Sequence, residues 1–196
     1  MTFKRNFLTL SQFNEIEQSI NKDIVHIKEL AFQTEEEHEY SPDWEDQISS
    51  RSLNLLLDTP IDYHKTSRKI SIKDKKSKNK RNYPSLVLTQ TLKDIFPEYK
   101  LKQSGCFYYP KGGFMGWHTN HDTDEDRLYI TFAEEDKQSF FRYYKDGNII
   151  TDYDDKGITI RRFSVAGGPP FFWHCVGSNT NRFSFGYQLH PISQTS

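Results

Sequence analysis

The sequence predicts a mainly β domain whose α-helices are confined to its first half. Apolar residues recur at helical spacing in the first hundred residues, and the period changes to two from residue 101. The chain also contains 15 Phe, 11 Tyr and 3 Trp, concentrated after residue 105, and aromatic residues favour strands. Its 196 residues suffice for one domain with a hydrophobic core. We therefore expect a single α+β domain over 1–196, with helical support and loops over 1–100 and a β core over 101–190.

The overall charge and the cysteine content indicate which partners and which cellular compartment to expect. Lys and Arg number 26 against 27 Asp and Glu, so the net charge gives no reason to expect a nucleic-acid or membrane partner. Two cysteines, Cys106 and Cys175, are too few for a disulfide scaffold and are typical of a reducing compartment. The sequence contains neither a signal peptide nor an apolar stretch of the roughly 20 residues that a membrane span needs. We expect a soluble, cytoplasmic protein.

Two segments of the first half have the pattern of amphipathic helices. The first is expected near 11–20, with Ser11 as its N-cap. The second is expected over 84–96, because Pro84 suits the first position of a helix. Their apolar faces consist of Phe13, Ile16 and Ile20 in the first helix and of Leu88, Leu92, Ile95 and Phe96 in the second. Between them, the run "SLNLLLDTP" fits a short buried strand or the end of a helix, and periodicity does not decide between the two.

Two charged segments interrupt the first half. "TEEEHEYSPDWED" (34–46) is acidic and contains a proline, which is typical of a solvated turn. Residues 65–81 carry nine Lys and Arg against one Asp, and such a block is usually a mobile loop or a sheet edge because like charges repel. A patch that contacts nucleic-acid phosphates is the alternative interpretation, although no aromatic residues interleave with the charges.

From residue 101 onward the chain reads as seven or eight short strands separated by turns of Gly, Pro, Asn and Ser. The alternating runs are "RLYITFA", "SFFRYYKDGNIITDY", "GITIRRFSV", "PFFWHCV" and "RFSFGYQL". Asp146 and Gly147 divide the second run, and this dipeptide is a strong signal for a β-hairpin. Short, closely spaced strands of this kind predict an antiparallel sandwich or barrel.

The last strand indicates which face of the predicted sheet is polar. Phe183, Phe185, Tyr187 and Leu189 fall on one face, and Arg182, Ser184, Gly186 and Gln188 fall on the other. We expect the aromatic face to pack against the N-terminal helices. The polar face then lines the interior of a barrel that can hold a ligand.

A cluster of potential metal ligands precedes the first long alternating run. The segment "GGFMGWHTNHD" places His118, Asn120, His121 and Asp122 within five positions. His121 is expected to point away from its neighbour His118. Gly112 and the glycine after it are expected to form a turn or bulge rather than a phosphate-binding loop, since no helix follows.

A second histidine lies in an apolar context. His174 stands in "FFWHCV", where a polar side chain needs a partner or a function. Arg182 opens the next strand, and neighbouring strands lie about 4.8 Å apart, so the two side chains are expected to reach one cavity. Trp117 and Trp173 are expected to be packing residues, and Cys175 is expected to point away from His174 into the core.

The ordered set of residues resembles the Fe(II)- and 2-oxoglutarate-dependent oxygenases, in particular their prolyl-hydroxylase-like branch. In that family a His-x-Asp motif is followed by a distal His and then by an Arg. Here His118, His174 and Arg182 match in order, and Ser184 completes the Arg-x-Ser pair. The resemblance covers about residues 101–190. It implies a double-stranded β-helix, which is a jelly-roll or cupin-like barrel, supported by helices.

The resemblance also implies a metal site. His118 and His174 match the two imidazole ligands, and Asn120 stands where the family has Asp. We expect Asn120 to bind the metal through its carbonyl oxygen, and Asp122 is the alternative, which would restore two histidines and one carboxylate. In a third interpretation neither residue binds, as in members that transfer halide.

Further roles follow from the same resemblance. Arg182 and Ser184 match the pair that binds the far carboxylate of 2-oxoglutarate, where a guanidinium can bind in a bidentate manner. Tyr108 or Tyr129 is expected to assist in binding the cosubstrate.

The implied activity is that of a dioxygenase that uses Fe(II), 2-oxoglutarate and O₂, with ascorbate as a candidate addition, to hydroxylate an unactivated C–H bond. A protein side chain is the default substrate by resemblance, and a small molecule is the alternative. Two other functions stay open: a non-catalytic cupin-like barrel that binds a metal or a small acid, and an oxygenase directed to nucleic acid through the basic run at 65–81.

Overall fold

The computed structural model describes residues 2–32, 43–58, 67–72, 86–120 and 124–192. The chain is mainly β, with helices in its N-terminal half, as predicted. The helices are α1 (Leu10–Phe32), α2 (Ser50–Asp58) and α3 (Leu86–Ile95), and a 3-10 turn spans Asp46–Ile48. No helix in these ranges is both long and apolar enough to cross a membrane.

Helix α1 begins earlier and ends later than the predicted segment. The backbone N–H of Gln12 donates to Thr9 Oγ1 at 3.3 Å, and the backbone N–H of Thr9 donates to Gln12 Oε1 at 3.0 Å. This reciprocal pair is a capping box, so Thr9 and not Ser11 is the N-cap. The helix continues to Phe32 because its apolar positions recur beyond residue 20, at Ile24 and Ile27.

Helices α2 and α3 test the remaining helix predictions for the first half of the chain. The run "SLNLLLDTP" is helical as far as Asp58, with Leu53 buried, so the helical alternative holds. Helix α3 occupies residues 86–95 of the predicted 84–96, and Leu88 and Leu92 are fully buried. Residues 84 and 85 lie outside the described ranges, as do residues 34–42 of the acidic segment.

Eleven strands in the described ranges form two antiparallel sheets. Three short strands are β1 (Phe3–Lys4), β2 (Ser67–Arg68) and β3 (Ile70–Ser71). The longer strands are β4 (Tyr99–Tyr109), β5 (Gly113–His118), β6 (Glu125–Ala133), β7 (Ser139–Lys145), β8 (Asn148–Tyr153), β9 (Gly157–Val165), β10 (His174–Ser178) and β11 (Arg182–Pro191).

The order of these strands is that of a double-stranded β-helix. One sheet has the order β1-β9-β6-β11-β4-β3, and the other has the order β2-β5-β10-β7-β8. The chain therefore passes between the sheets repeatedly, and β4 to β11 form the eight-stranded jelly roll that the sequence predicted.

The two faces of β11 separate the core from the barrel interior. Phe183, Phe185 and Tyr187 are fully buried in a cluster with the inward residues of α1 and α3. The residues between them face the other sheet. The prediction that the aromatic face packs against the N-terminal helices is confirmed.

The hairpin between β7 and β8 is also confirmed. Its turn residues Asp146 and Gly147 have φ angles of 49° and 81°, in the left-handed region that Asp and Gly tolerate. The strand predicted from "PFFWHCV" is shorter than expected, because strand pairing begins only at His174.

Part of the basic run at 65–81 forms sheet edges. Strand β2 pairs with β5 and β3 pairs with β4, so these two short strands lie at the edges of different sheets. Lys69 lies between them. The remainder of the run, residues 65, 66 and 73–81, lies outside the described ranges.

Candidate metal and cosubstrate site

A cavity that opens to solvent lies between the two sheets. Both sheets and the segment at Lys69 contribute to its wall. The lining residues are Lys69, Ser104, Phe107, Tyr109, Met115, His118, Asn120, Arg127, Tyr129, His174, Val176, Ser184 and Gly186.

The two predicted histidine ligands meet at one end of the barrel. His118 ends β5 and His174 begins β10, and their Cα atoms are register partners. Their ring centroids are 4.0 Å apart, and their exposed fractions are 3% and 0%. Antiparallel pairing thus brings together two imidazoles that are distant in the sequence.

The tautomer of both imidazoles follows from their backbone contacts. Nδ1 of His118 lies 2.8 Å from the carbonyl oxygen of Gly116, and Nδ1 of His174 lies 2.9 Å from that of Phe172. A carbonyl oxygen only accepts, so each Nδ1 carries the proton and each Nε2 presents a lone pair. Metal-binding histidines have this arrangement, in which the second nitrogen is held by a backbone or carboxylate acceptor.

Asn120 brings its side-chain amide to the same place. Its Nδ2 lies 3.2 Å from Nε2 of His174 and 3.5 Å from the hydroxyl of Tyr129. The amide oxygen and nitrogen exchange positions by a rotation of the side chain. After such a rotation, the amide oxygen of Asn120 would face a metal ion bound at the histidines.

The alternative ligand Asp122 lies outside the described residues, together with His121. Within the described ranges, no group of three His, Cys, Asp or Glu side chains is arranged to hold a metal ion. Two imidazoles and one carboxamide oxygen are the donors that these ranges supply; imidazole suits iron, whereas the third ligand of the usual non-haem iron site is a carboxylate.

Tyr129 lines the cavity as predicted, and the prediction for Tyr108 is corrected. Tyr108 faces the helices, stacks on Phe183 with centroids 5.0 Å apart, and donates from its hydroxyl to Asn181 Oδ1 at 2.9 Å. Strand alternation on β4 turns its neighbour Tyr109 inward instead. Burial raises the pKa of both Tyr109 and Tyr129 against the opposing effect of nearby guanidinium groups, so both hydroxyls stay protonated.

Arg182 faces the barrel interior but does not line the cavity, which corrects the expectation that it reaches the same cavity as His174. It is 1% exposed, and its guanidinium carbon lies 5.0 Å from the ring centroid of Tyr109. Its Nε donates to Asp154 Oδ2 at 2.9 Å and its Nη2 donates to Thr131 Oγ1 at 3.1 Å. Nη1 is buried, and no partner for it occurs among the described residues.

Asp154 joins Arg182 to a second buried guanidinium. Arg161 Nη1 donates to Asp154 Oδ1 at 2.5 Å, and Ser139 Oγ donates to Asp154 Oδ2 at 2.5 Å. Burial alone would raise the pKa of Asp154, but Arg161 and Arg182 outweigh burial and hold that pKa well below its ordinary value. The carboxylate is therefore ionised, and Arg182 enters the site with two of its three nitrogen atoms already occupied.

The remaining expectations around the histidines concern packing. Trp117 and Trp173 pack with Trp44 in a cluster on the far side of the histidine sheet, so they are packing residues as predicted. Cys175 belongs to the same cluster, is fully buried, and has a pKa raised by burial. Gly112 has a φ of 71° in the turn before β5, in agreement with the expected turn.

Two cations of the cavity wall, Arg127 and Lys69, were not predicted from the sequence. Arg127 shares the inward face of β6 with Tyr129, and the alternation of "RLYITFA" already placed both on one face. Lys69 comes from the basic run, and its Nζ lies 3.8 Å from the ring centroid of Phe107. No local pattern distinguishes Lys69 from its charged neighbours.

Comparison with known proteins shows similarity to solved structures. No protein-family model matches the sequence, and no curated protein matches it significantly. A prolyl hydroxylase from Trichoplax adhaerens, solved with a peptide fragment of the hypoxia inducible factor oxygen degradation domain, is 11% identical, with 97% of this chain and 83% of that chain covered and a TM-score of 0.48.

Two bacterial proteins are similar at a comparable level. A prolyl-4-hydroxylase from Pseudomonas putida is 12% identical, with 98% of this chain and 92% of that chain covered and a TM-score of 0.42. A 2OG-Fe(II) oxygenase family member from Burkholderia pseudomallei is 16% identical, with coverages of 72% and 76% and a TM-score of 0.39. These likenesses are too distant to assign an activity, and the strand order of the chain itself carries the fold assignment.

Proposed function

We propose that the chain is an Fe(II)- and 2-oxoglutarate-dependent dioxygenase, most simply a hydroxylase of an unactivated C–H bond. The observation that supports the proposal is the pair of buried imidazoles, His118 and His174, which line one cavity and whose Nδ1 protons are both held by backbone carbonyls, as in metal-binding histidines.

His118, His174 and the side-chain oxygen of Asn120 would hold the metal, with Asp122 as the alternative third ligand. When bound, Fe(II) and 2-oxoglutarate supply oxygen activation coupled to oxidative decarboxylation of the cosubstrate. The carboxamide of Asn120 carries no charge, so it binds a cation less strongly than the carboxylate that the family has at this position.

Arg182 would bind the far carboxylate of 2-oxoglutarate. Because Arg182 does not line the cavity, this role requires that the cavity extend past Tyr109 to the guanidinium when the cosubstrate binds. Its unpartnered, buried Nη1 supports this role, because an orphaned donor costs about 1–3 kcal/mol unless a ligand satisfies it. Ser184 lines the cavity two residues farther along the same strand face and can donate a further hydrogen bond. Asp154 fixes the guanidinium, and a single open nitrogen predicts a more weakly held carboxylate than a bidentate pair.

The cavity wall combines apolar side chains with hydrogen-bond donors. Phe107, Met115 and Val176 give it an apolar lining, and the protonated hydroxyls of Tyr109 and Tyr129 are hydrogen-bond donors inside it. A protein side chain is the default substrate, and a small molecule is the alternative.

A second candidate function is a non-catalytic barrel that binds a metal or a small acid. The neutral amide of Asn120 favours it, because a weakly held metal does not sustain turnover. The nucleic-acid-directed alternative depends on the basic run at 65–81. Among the described residues of this run, Lys69 is the one cation whose side chain is described, and it lines the cavity.

Release of succinate from 2-oxoglutarate, in the presence of Fe(II) and ascorbate, separates an oxygenase from a binding protein. The proposal predicts release that requires Fe(II) and that disappears in His118→Ala. Binding of metal and 2-oxoglutarate without succinate, with every candidate substrate tried, would instead favour the non-catalytic barrel. Competition by single-stranded RNA or DNA with a steep salt dependence would support the nucleic-acid alternative.

A further inference from the structure

Arg127 carries a third buried guanidinium of the barrel, and it lies at the opposite end from Arg182. On β6, Arg127 is the register partner of Gln188, whereas Arg182 is the partner of Ala133. Strand β6 begins at the end of the barrel where His118 ends β5. Arg127 therefore lies beside the histidine end, and Arg182 lies at the floor.

The guanidinium of Arg127 is buried and incompletely satisfied. The residue is 8% exposed, and its Nε has no hydrogen-bond partner among the described residues. Its Nη2 forms an ion pair with Glu125, and Gln188 Nε2 donates to Glu125 Oε1 at 3.2 Å. Glu125 and Gln188 thus hold one edge of the guanidinium, which leaves the Nε–H group for another acceptor.

The charge around this donor favours an anion. The cavity wall contains two cationic side chains, Arg127 and Lys69, and no Asp or Glu is among the described residues that line it. Glu125 offsets Arg127 from outside the lining. Hydrogen bonds in which a partner is ionised are roughly twice as strong as those between neutral groups, and a carboxylate also attracts the guanidinium as an opposite charge.

We propose that Arg127 binds a carboxylate of the primary substrate, so that this enzyme acts on a carbon close to an acidic group. This inference rests on the proposed function, because the cosubstrate would occupy the space toward Arg182 and leave the histidine end for the substrate. The acidic group can belong to a small organic acid or to an Asp or Glu side chain of a protein, since both present the same carboxylate.

The test is a binding titration on the full chain loaded with Zn(II) and the unreactive cosubstrate analogue N-oxalylglycine. Two matched pairs of probes separate the two sources of the carboxylate: glutarate against glutaramide, and a capped Gly-Glu-Gly peptide against Gly-Gln-Gly. We expect the acidic member of at least one pair to bind about tenfold or more tightly than its amide. Arg127→Gln should remove that preference, and Arg127→Lys should retain part of it.

Arg162→Gln is the matched control. Arg162 pairs with Asp126 on the outer face of the same strand pair, at 2.6 Å, and does not line the cavity. It should keep the preference for the acidic probes. Equal binding of acid and amide in every pair, or an unchanged preference in Arg127→Gln, overturns the inference. A loss of N-oxalylglycine affinity in Arg127→Gln also overturns it, because Arg127 would then belong to the cosubstrate site.

The same titration without metal and analogue separates this failure from failure of the proposed function. If the wild-type chain binds neither Zn(II) nor N-oxalylglycine but still prefers the acidic probes, the oxygenase assignment fails. If that preference still depends on Arg127 under those conditions, the carboxylate site at Arg127 stands, but the claim that it lies beside a bound cosubstrate fails.

Discussion

His118 and His174 are register partners on neighbouring antiparallel strands, and their rings lie with centroids 4.0 Å apart. Each ring is oriented by a hydrogen bond from its own Nδ1 to a backbone carbonyl two residues earlier. Strand pairing and these backbone hydrogen bonds orient both rings, and the rings of Phe141, Phe163 and Phe172 pack around His174. A metal would therefore meet two imidazoles that are already in position.

Replacing one imidazole tests whether the pair binds a metal. His174→Ala should weaken Fe(II) or Co(II) binding by more than about a hundredfold, since even the loss of an outer-shell partner costs about 10- to 100-fold. Equilibrium titration with Co(II), followed by its visible absorption, measures the effect. His26→Ala is the control, because His26 is an exposed residue of α1. Equal losses in the two variants would show that the metal binds elsewhere.

The third ligand can be identified by adding a charge. Asn120→Asp should tighten metal binding by roughly tenfold, because a carboxylate replaces a neutral oxygen beside Nε2 of His174. The same Co(II) titration measures this change. If Asn120→Asp has no effect and Asp122→Ala weakens binding, Asp122 is the ligand.

The two predicted tyrosines should now behave differently. Tyr129→Phe should weaken 2-oxoglutarate binding several-fold, because Tyr129 lines the cavity. Tyr108→Phe should leave that affinity unchanged and lower the free energy of unfolding by about 1 kcal/mol, since the hydrogen bond from its hydroxyl to Asn181 is lost. Calorimetric titration with 2-oxoglutarate and urea unfolding measure the two quantities. A loss of cosubstrate affinity in Tyr108→Phe would contradict the placement of Tyr108 outside the cavity.

The buried ionic network should make the stability of the fold depend on acid. The folded-state pKa of Asp154 lies below its unfolded value of about 3.9, so its contribution is complete above that value and is lost as the pH falls further toward the folded pKa. Asp154→Asn should lower the free energy of unfolding at neutral pH by about 3–5 kcal/mol, because Arg161 and Arg182 lose their shared counter-charge.

Chemical unfolding between pH 7 and pH 2 checks this prediction. The wild-type chain should lose stability more steeply than Asp154→Asn below about pH 4. Asp136→Asn, at an exposed carboxylate whose only described ion pair is a distant one with Lys137, is the control. Parallel acid profiles for wild type and Asp154→Asn would exclude Asp154 as the source of the acid sensitivity.

Period-two alternation predicted much of the barrel, because each inward position of a buried strand must be followed by an outward one. The alternation of β11 predicts Phe183 against the helices and Ser184 in the interior, and the structure has both there. The alternation of β6 likewise turns Arg127 inward, although a single Arg in a strand carries no motif that marks a site. Tyr108 differs from its prediction because alternation on β4 turns Tyr109, and not Tyr108, toward the cavity.

The partners of Arg182 could not be predicted. Asp154 reaches it from the segment after β8, and that pairing depends on how β8 and β9 turn back onto the barrel. No local pattern in the sequence marks a contact of this kind. The longer extent of α1 was, in contrast, readable, since Thr9 and Gln12 form the Thr-x-x-Gln pattern of a capping box.

The central claim is that one metal ion and 2-oxoglutarate bind together inside this barrel. Anaerobic addition of 2-oxoglutarate to the Fe(II)-loaded chain tests it most directly, by visible absorption spectroscopy. Chelation of the metal by the 2-oxo acid should produce a charge-transfer band that is absent in His118→Ala and needs more 2-oxoglutarate in Arg182→Lys. A wild-type chain that binds 2-oxoglutarate without Fe(II), or forms no such band at saturation, would contradict the account.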